Sequence, residues 1–266
     1  QEYEDFTDED LLDEINKSIA AFFKASKGDY ITHFQSIWSL VDTYLHDSEI
    51  ILTLFALVAL GDMVQYCGER SAPFKDSFVP KVSGYLVSPE PSIRQAAAYI
   101  IGVCAQYAPS TYGDVCVSSL ETLFQVVSIP DAQSDENQTA TENASAAIAK
   151  ILHAFSANMP NLETYLANWL RTLPIIVDDE AAAFSYRFLS HLIDTNSPVV
   201  SGPSNIPVVV DNVVQALHHK SISGKTAAAV VESTKRLLGT LPQADAMGIL
   251  QRYPSDVMQT IQVWFS

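Results

Sequence analysis

Apolar residues in this chain recur every three or four positions, in blocks separated by short polar or proline-bearing stretches. That is the period of a helix with one buried face. Leu11, Leu12, Ile15, Ile19 and Phe22 or Phe23 form the first stripe. Thr7 is placed to cap it, with Asp8, Glu9 and Asp10 in its first turn. Lys27-Gly28-Asp29 breaks the pattern, and Ile31, Phe34, Ile37, Trp38, Val41 and Leu45 carry the next stripe. Further pairs are predicted over 48–67 and 71–86, 91–107 and 110–128, and 140–157 and 161–173. Two more cover 178–194 and 206–218, then 223–241 with a shorter, less regular end over 244–265. Pro80 falls inside its helix and should kink it. No stretch alternates with period two over more than a few residues, so about twelve to thirteen helices and no sheet are expected.

These pairs repeat. Set LFALVALGDMVQYCG (54–68) over QAAAYIIGVCAQYAP (95–109): Gly61 falls on Gly102, Gln65 on Gln106 and Tyr66 on Tyr107, all at a shift of 41. At the same shift Val79, Val82 and Leu86 fall on Leu120, Leu123 and Val127. A third copy, shifted by 48, sets Ile100, Val103, Cys104 and Tyr107 over Ile148, Ile151, Leu152 and Phe155. The polar, acidic loop IPDAQSDENQT accounts for the extra length. Two helices per unit at this period predict an all-α solenoid of about six repeats, over 7–46, 48–87, 88–128, 134–173, 178–219 and 222–266. Such units bury a core only against their neighbours and present a long surface, which points to binding.

Composition sharpens this. A net charge of −16 disfavours nucleic acid, whose phosphates need an excess of Lys and Arg. The same charge fits two readings, a surface that steers basic partners and a surface acidic for solubility alone. Cys67, Cys104 and Cys116 lie in apolar helical patterns without CxxC spacing, as expected of reduced, buried thiols. The longest apolar stretch, 50–60, is shorter than the roughly 20 residues a bilayer span needs, so no membrane is expected. The first fourteen residues carry eight acids and no base, unlike a signal peptide. Beginning at Gln1, the chain reads as a piece of a longer protein.

Candidate chemistry is sparse. Gly224-Lys225-Thr226 resembles the tail of a phosphate-binding loop, but His219 stands where the motif needs glycine, and no strand precedes it. The six histidines are scattered without ligand spacing, so no metal is expected. There is no Gly-x-Ser-x-Gly elbow and no cysteine with a plausible histidine partner, so neither catalysis nor a cofactor is expected. Trp38 and Trp169 match apolar stripes and read as core. On the second helices of their units, Asp42, Asp76, Asp114, Glu121, Glu163 and Asp211 fall off the stripe. Two readings fit them: a spaced ladder for Lys and Arg of an extended peptide, or a solvated face with local ion pairs.

Ser92-Ile93-Arg94-Gln95-Ala96-Ala97, followed by Tyr99-Ile100-Ile101-Gly102-Val103-Cys104-Ala105-Gln106-Tyr107, resembles the HEAT-repeat signature. With ATENASAAIAKIL and ANWLRTLP, the run RQAAAYIIGVCAQYAPSTY is similar to the C-terminal part of a karyopherin-β, in the importin-five branch of budding-yeast type. The resemblance covers essentially the whole chain and implies a right-handed solenoid of antiparallel helix pairs. It implies a non-enzymatic nuclear import receptor that shuttles between cytoplasm and nucleus. Its implied partners are basic import-signal cargo, phenylalanine-glycine nucleoporins and the GTPase Ran, whose GTP form releases cargo. In that family the main Ran contacts and signal pockets lie in earlier repeats, so no family site is carried over. A phosphatase or assembly scaffold built of HEAT repeats is the alternative. From the residues themselves, Asp114, Glu121, Glu163 and Asp211 are expected to face one groove and bind basic segments. Arg94 is expected near its helix start, paired with a carboxylate or with carbonyls of a neighbouring repeat.

Overall fold

A computed structural model of the chain describes residues 7–26 and 28–266. The acidic stretch read over 2–14 is therefore covered from Thr7 onward, and Lys27 of the first break lies outside the described residues. Among those residues there are fifteen α-helices, two short 3-10 segments and no strand. The chain packs as two compact units, 1–147 and 148–266, divided within one helix.

The first unit comprises α1 (Asp8–Ser26), α2 (Ile31–Leu45), α3 (Ile50–Cys67), a 3-10 segment (Gly68–Phe74), α4 (Lys75–Tyr85), α5 (Pro91–Tyr107), α6 (Pro109–Ser118) and α7 (Leu120–Val126). It also holds the start of α8 (Gln138–Phe155). Thr7 and Asp10 cap α1 reciprocally: Asp10 N–H donates to Thr7 Oγ1 (3.2 Å) and Thr7 N–H to Asp10 Oδ2 (2.8 Å). By length and composition α3 could cross a bilayer, but Phe55, Leu57, Leu60, Met63 and Val64 are buried, and α1, α2 and α5 pack on it. It is the core helix of this unit.

Gly61 and Gln65, in the earlier copy, have a packing reason. A Cβ on Gly61 would lie 3.3 Å from Tyr99 Cε1, and the Tyr99 hydroxyl donates to Gln65 Oε1 at 2.8 Å. Gly68 ends α3 at φ +54, where an added Cβ would meet Tyr107 O at 3.0 Å. Pro109 opens α6 and Pro174 follows α9.

Two expected helices differ. The return helix begins at Lys75 rather than 71, because Gly68–Phe74 winds as 3-10 with Pro73 inside it. The helix expected over 110–128 divides at Ser119, whose N–H is shared between Val115 O (3.0 Å) and Cys116 O (3.3 Å). The division at Ser119, with a short helix in the Ser/Pro/Gly-rich loop, raises the count above the twelve or thirteen expected.

The second unit continues α8 and adds α9 (Leu162–Leu170), α10 (Asp179–Asp194), α11 (Pro198–Ser201), α12 (Ile206–His218), α13 (Gly224–Leu238), α14 (Gln243–Leu250) and α15 (Ser255–Phe265). Asp178 caps α10 by accepting from Ala181 N–H at 2.8 Å. Packing runs from α10 to α13 and from α12 to α13 and α15. Trp169 is fully buried, its ring 5.1 Å from that of Phe188. The buried Tyr186 hydroxyl accepts from Ile175 N–H (3.3 Å) and donates to Asn212 O (3.0 Å).

Hydrogen bonds restate the period. Asn16 reaches Phe55 O, 39 residues on; Tyr85 reaches Leu45 O, 40 back; Ser71 meets Tyr112, 41 on. In the second unit Asn212 reaches Leu170 O, 42 back, and Ser190 meets Ser233, 43 on. Each pair joins the same places in successive repeats.

Candidate protein-binding site

Arg94 sits in the first turn of α5 and is 8% exposed. Its Nη1 donates to Ser88 O (2.7 Å) and Pro89 O (2.9 Å), and its Nη2 donates to Asn137 Oδ1. Asn137 is held from behind, its Nδ2 donating to Asp131 Oδ2 (3.1 Å) and Ser134 Oγ (3.2 Å). The guanidinium thus clasps the turn before its own helix to the loop of the next repeat. Its direct partners are carbonyls and an amide rather than a carboxylate.

Asp114 on α6 projects into solvent, yet it accepts from Lys75 Nζ at 2.8 Å. Lys75 also donates to Thr111 O (2.7 Å) and lies 5.9 Å over the Tyr112 ring. The Lys75 hydrogen bond, helped by the Val115 N–H, holds the Asp114 carboxyl below its ordinary 3.8. A depressed carboxyl contributes stability above that ordinary value and loses it as pH falls through the lower, folded one. Asp114→Asn is therefore expected to cost less than about 1 kcal/mol at pH 7, since the side chain is mostly exposed, and progressively less as pH falls below the ordinary carboxyl value. Urea unfolding of both proteins from pH 7 downward checks this.

Beside it, Glu69 accepts from Ser110 N–H (3.0 Å) and from Thr111 Oγ1, capping α6 from the preceding repeat. The Thr111 contact, together with the Ser110 N–H, lowers its pKa. Sequence reasoning passed over Glu69 and Lys75, although the shift of 41 carries Glu69 onto Ser110.

Glu121 and Glu163 are exposed, in the first turns of α7 and α9, with no hydrogen bond or salt bridge among the described residues. Asp211 on α12 is half-exposed, with Oδ1 3.8 Å from Arg252 Nη2. Arg252 in turn donates to Pro207 O at 2.8 Å. Of the four acids, then, Asp114 is ion-paired, Asp211 is partly neutralised, and Glu121 and Glu163 keep solvated charge. Asp42 is half-buried and Asp76 exposed.

The other candidates sit in structural roles. Trp38 packs on Phe74 with ring centroids 4.5 Å apart. Gly224 starts α13 at φ +53. All three cysteines are buried free thiols. Burial raises Cys67 to about 11 and Cys116 to about 12, and lifts Cys104 well above its ordinary value. Groups of three or more possible metal ligands are absent among the described residues.

A family model described as "Importin repeat" matches residues 178–231, and one described as "Importin repeat 6" matches residues 1–47. Importin subunit beta-3 of Saccharomyces cerevisiae is 56% identical over 265 residues, covering 100% of this chain and 24% of that protein. The chain belongs to the karyopherin-β (importin) family. A crystal structure of Kap121p bound to RanGTP matches with TM-score 0.87 and 52% identity, over 98% of this chain and 24% of that one. Kap121p bound to Nup53p matches with TM-score 0.86 and 53% identity, over 100% and 24%. The fold is accordingly the all-α helical-repeat solenoid of importins. The chain spans about a quarter of the length of these relatives.

Proposed function

We propose that this chain is a C-terminal run of HEAT repeats, a single domain over 1–266 with six repeats, in a nuclear import receptor that works by binding and not by catalysis. The observation that carries this is 56% identity to importin subunit beta-3 across the whole chain. In the complete receptor the partners are basic import-signal cargo, phenylalanine-glycine nucleoporins and Ran-GTP, with no direct role for nucleic acid or membrane. The receptor shuttles between cytoplasm and nucleus. Its mechanism is conformational, as small rotations between repeats add along a stack. Relatives crystallised with RanGTP and with Nup53p support the partner classes. Retention of the complete receptor on immobilised phenylalanine-glycine repeats, with release of a basic-signal cargo by Ran-GTP, is the expected result. Failure of both would favour a scaffold of the same repeats.

Within this segment, Asp114, Glu121, Glu163 and Asp211 offer negative charge to Lys- or Arg-rich segments. Asp114 and Asp211 already have cationic neighbours, so Glu121 and Glu163 carry most of the attraction. A basic import-signal peptide titrated at low salt should lose affinity severalfold when Glu121 becomes Gln and, in a separate variant, when Glu163 becomes Gln, and less when Asp114 becomes Asn. It should also bind far more weakly at 1 M salt, where the Debye length is about 3 Å. Equal affinities for all variants would remove these acids from the binding surface.

A further inference from the structure

A second cleft, between α1 and α3, lies apart from those four acids. The first turns of α1 carry five carboxylates, and two of them have partners. Asp10 closes the cap with Thr7, and Glu14 holds Lys17 Nζ at 2.6 Å. Glu9 and Asp13 make no hydrogen bond or salt bridge among the described residues, and Asp13 feels Lys17 only at longer range. Four positions apart on one helix face, these two like charges repel one another. Both line the cleft.

The next residue along that row is Asn16, which also lines the cleft and is only 6% exposed. Its Nδ2 donates to Phe55 O at 3.3 Å, which fixes the orientation of the amide, because the flipped form would set two oxygens face to face. Asn16 Oδ1 is left buried without a partner. An unmet buried acceptor is costly, and a donor from outside would relieve it. The remaining walls are apolar, with Leu12 on α1 and Ile51 and Val58 on α3.

Chemistry narrows the occupant. Two bare carboxylates and an orphaned amide oxygen call for a cation that carries hydrogen-bond donors, and the apolar walls suit a methylene stem. We propose that this cleft receives a lysine side chain presented by a partner protein. Its methylenes lie against Leu12, Ile51 and Val58, and its ammonium is drawn to Glu9, Asp13 and Asn16 Oδ1, three donors meeting three acceptors. The inference does not rest on the receptor function above.

The test is a titration of the whole 266-residue chain, followed by NMR of the Leu12 and Val58 methyls and the Asn16 side-chain amide. The probes are Nα-acetyl-lysine methylamide, its Nε-acetylated form and Nα-acetyl-phenylalanine methylamide. At low salt the lysine compound should give saturable shifts at these three residues, and the Nε-acetylated compound should not. Glu9→Gln with Asp13→Asn should weaken binding about tenfold or more, since both charge-assisted contacts are lost. Removing the like-charge pair should leave the thermal midpoint of that variant unchanged or higher, which guards against misfolding. Glu163→Gln should leave these shifts untouched while lowering basic-peptide affinity, so the two readings fail separately. No saturable shift, equal shifts from the Nε-acetylated compound, or tighter binding of the phenylalanine compound would overturn the proposal.

Discussion

Replacing Arg94 with alanine is expected to lower the stability of the first unit by about 3 kcal/mol, far outside the surface-substitution range of about ±0.5 kcal/mol. The side chain is 8% exposed and donates to Ser88 O, Pro89 O and Asn137 Oδ1 at once. Truncation removes the charged donor and strands three acceptors in a place that water reaches poorly. Arg94→Lys should recover little of this. One ammonium cannot span two carbonyls on one side and an amide on the other, as the guanidinium fork does. Urea unfolding, with hydrogen exchange of the α5 amides, measures both variants. A loss within about 0.5 kcal/mol for Arg94→Ala would mean the clasp has no energetic weight.

Trp169→Ala should cost the second unit about 3–5 kcal/mol, the range for emptying an aromatic site that cannot collapse. Trp169 is 0% exposed, and its indole packs on Phe188 of α10. It stands one residue from the end of α9, a helix of only nine residues whose buried face is Leu166, Trp169 and Leu170, so Trp169 is the largest anchor of that helix. Trp169→Phe should keep most of the packing and lose much less. Loss of α9 protection from hydrogen exchange, with α13 less affected, is the expected pattern. An unaltered unfolding midpoint for Trp169→Ala would contradict it.

Helix type and repeat length were legible because both rest on local spacing. Gly61, Gln65 and Tyr66 over Gly102, Gln106 and Tyr107 revealed the shift of 41, and the Ser71–Tyr112 hydrogen bond spans that same number. The Thr7 cap was legible too, since its partner is three residues away. The late start of α4 and the division at Ser119 were not. Both are set by how the chain turns between packed neighbours, which side-chain periodicity does not record. The acids show the same limit. Asp114 reads as a free carboxylate until Lys75, 39 residues earlier, is brought against it. Arg94 was singled out for needing a partner, and carbonyls were among those expected, but the carbonyls it meets, Ser88 O and Pro89 O, precede its own helix, and the more distant group it reaches is the Asn137 amide.

The placement of the three thiols makes them a clock. Cys67, Cys104 and Cys116 all fall in the first unit, at 7%, 0% and 0% exposure, and the second unit has none. With burial holding each proton on its sulfur, alkylation of the native state is slow on both counts, access and thiolate fraction. A maleimide or iodoacetamide therefore reacts at the rate at which this half of the chain opens. Mass spectrometry of the labelled chain would therefore time the opening of the first unit alone, without any signal from the second.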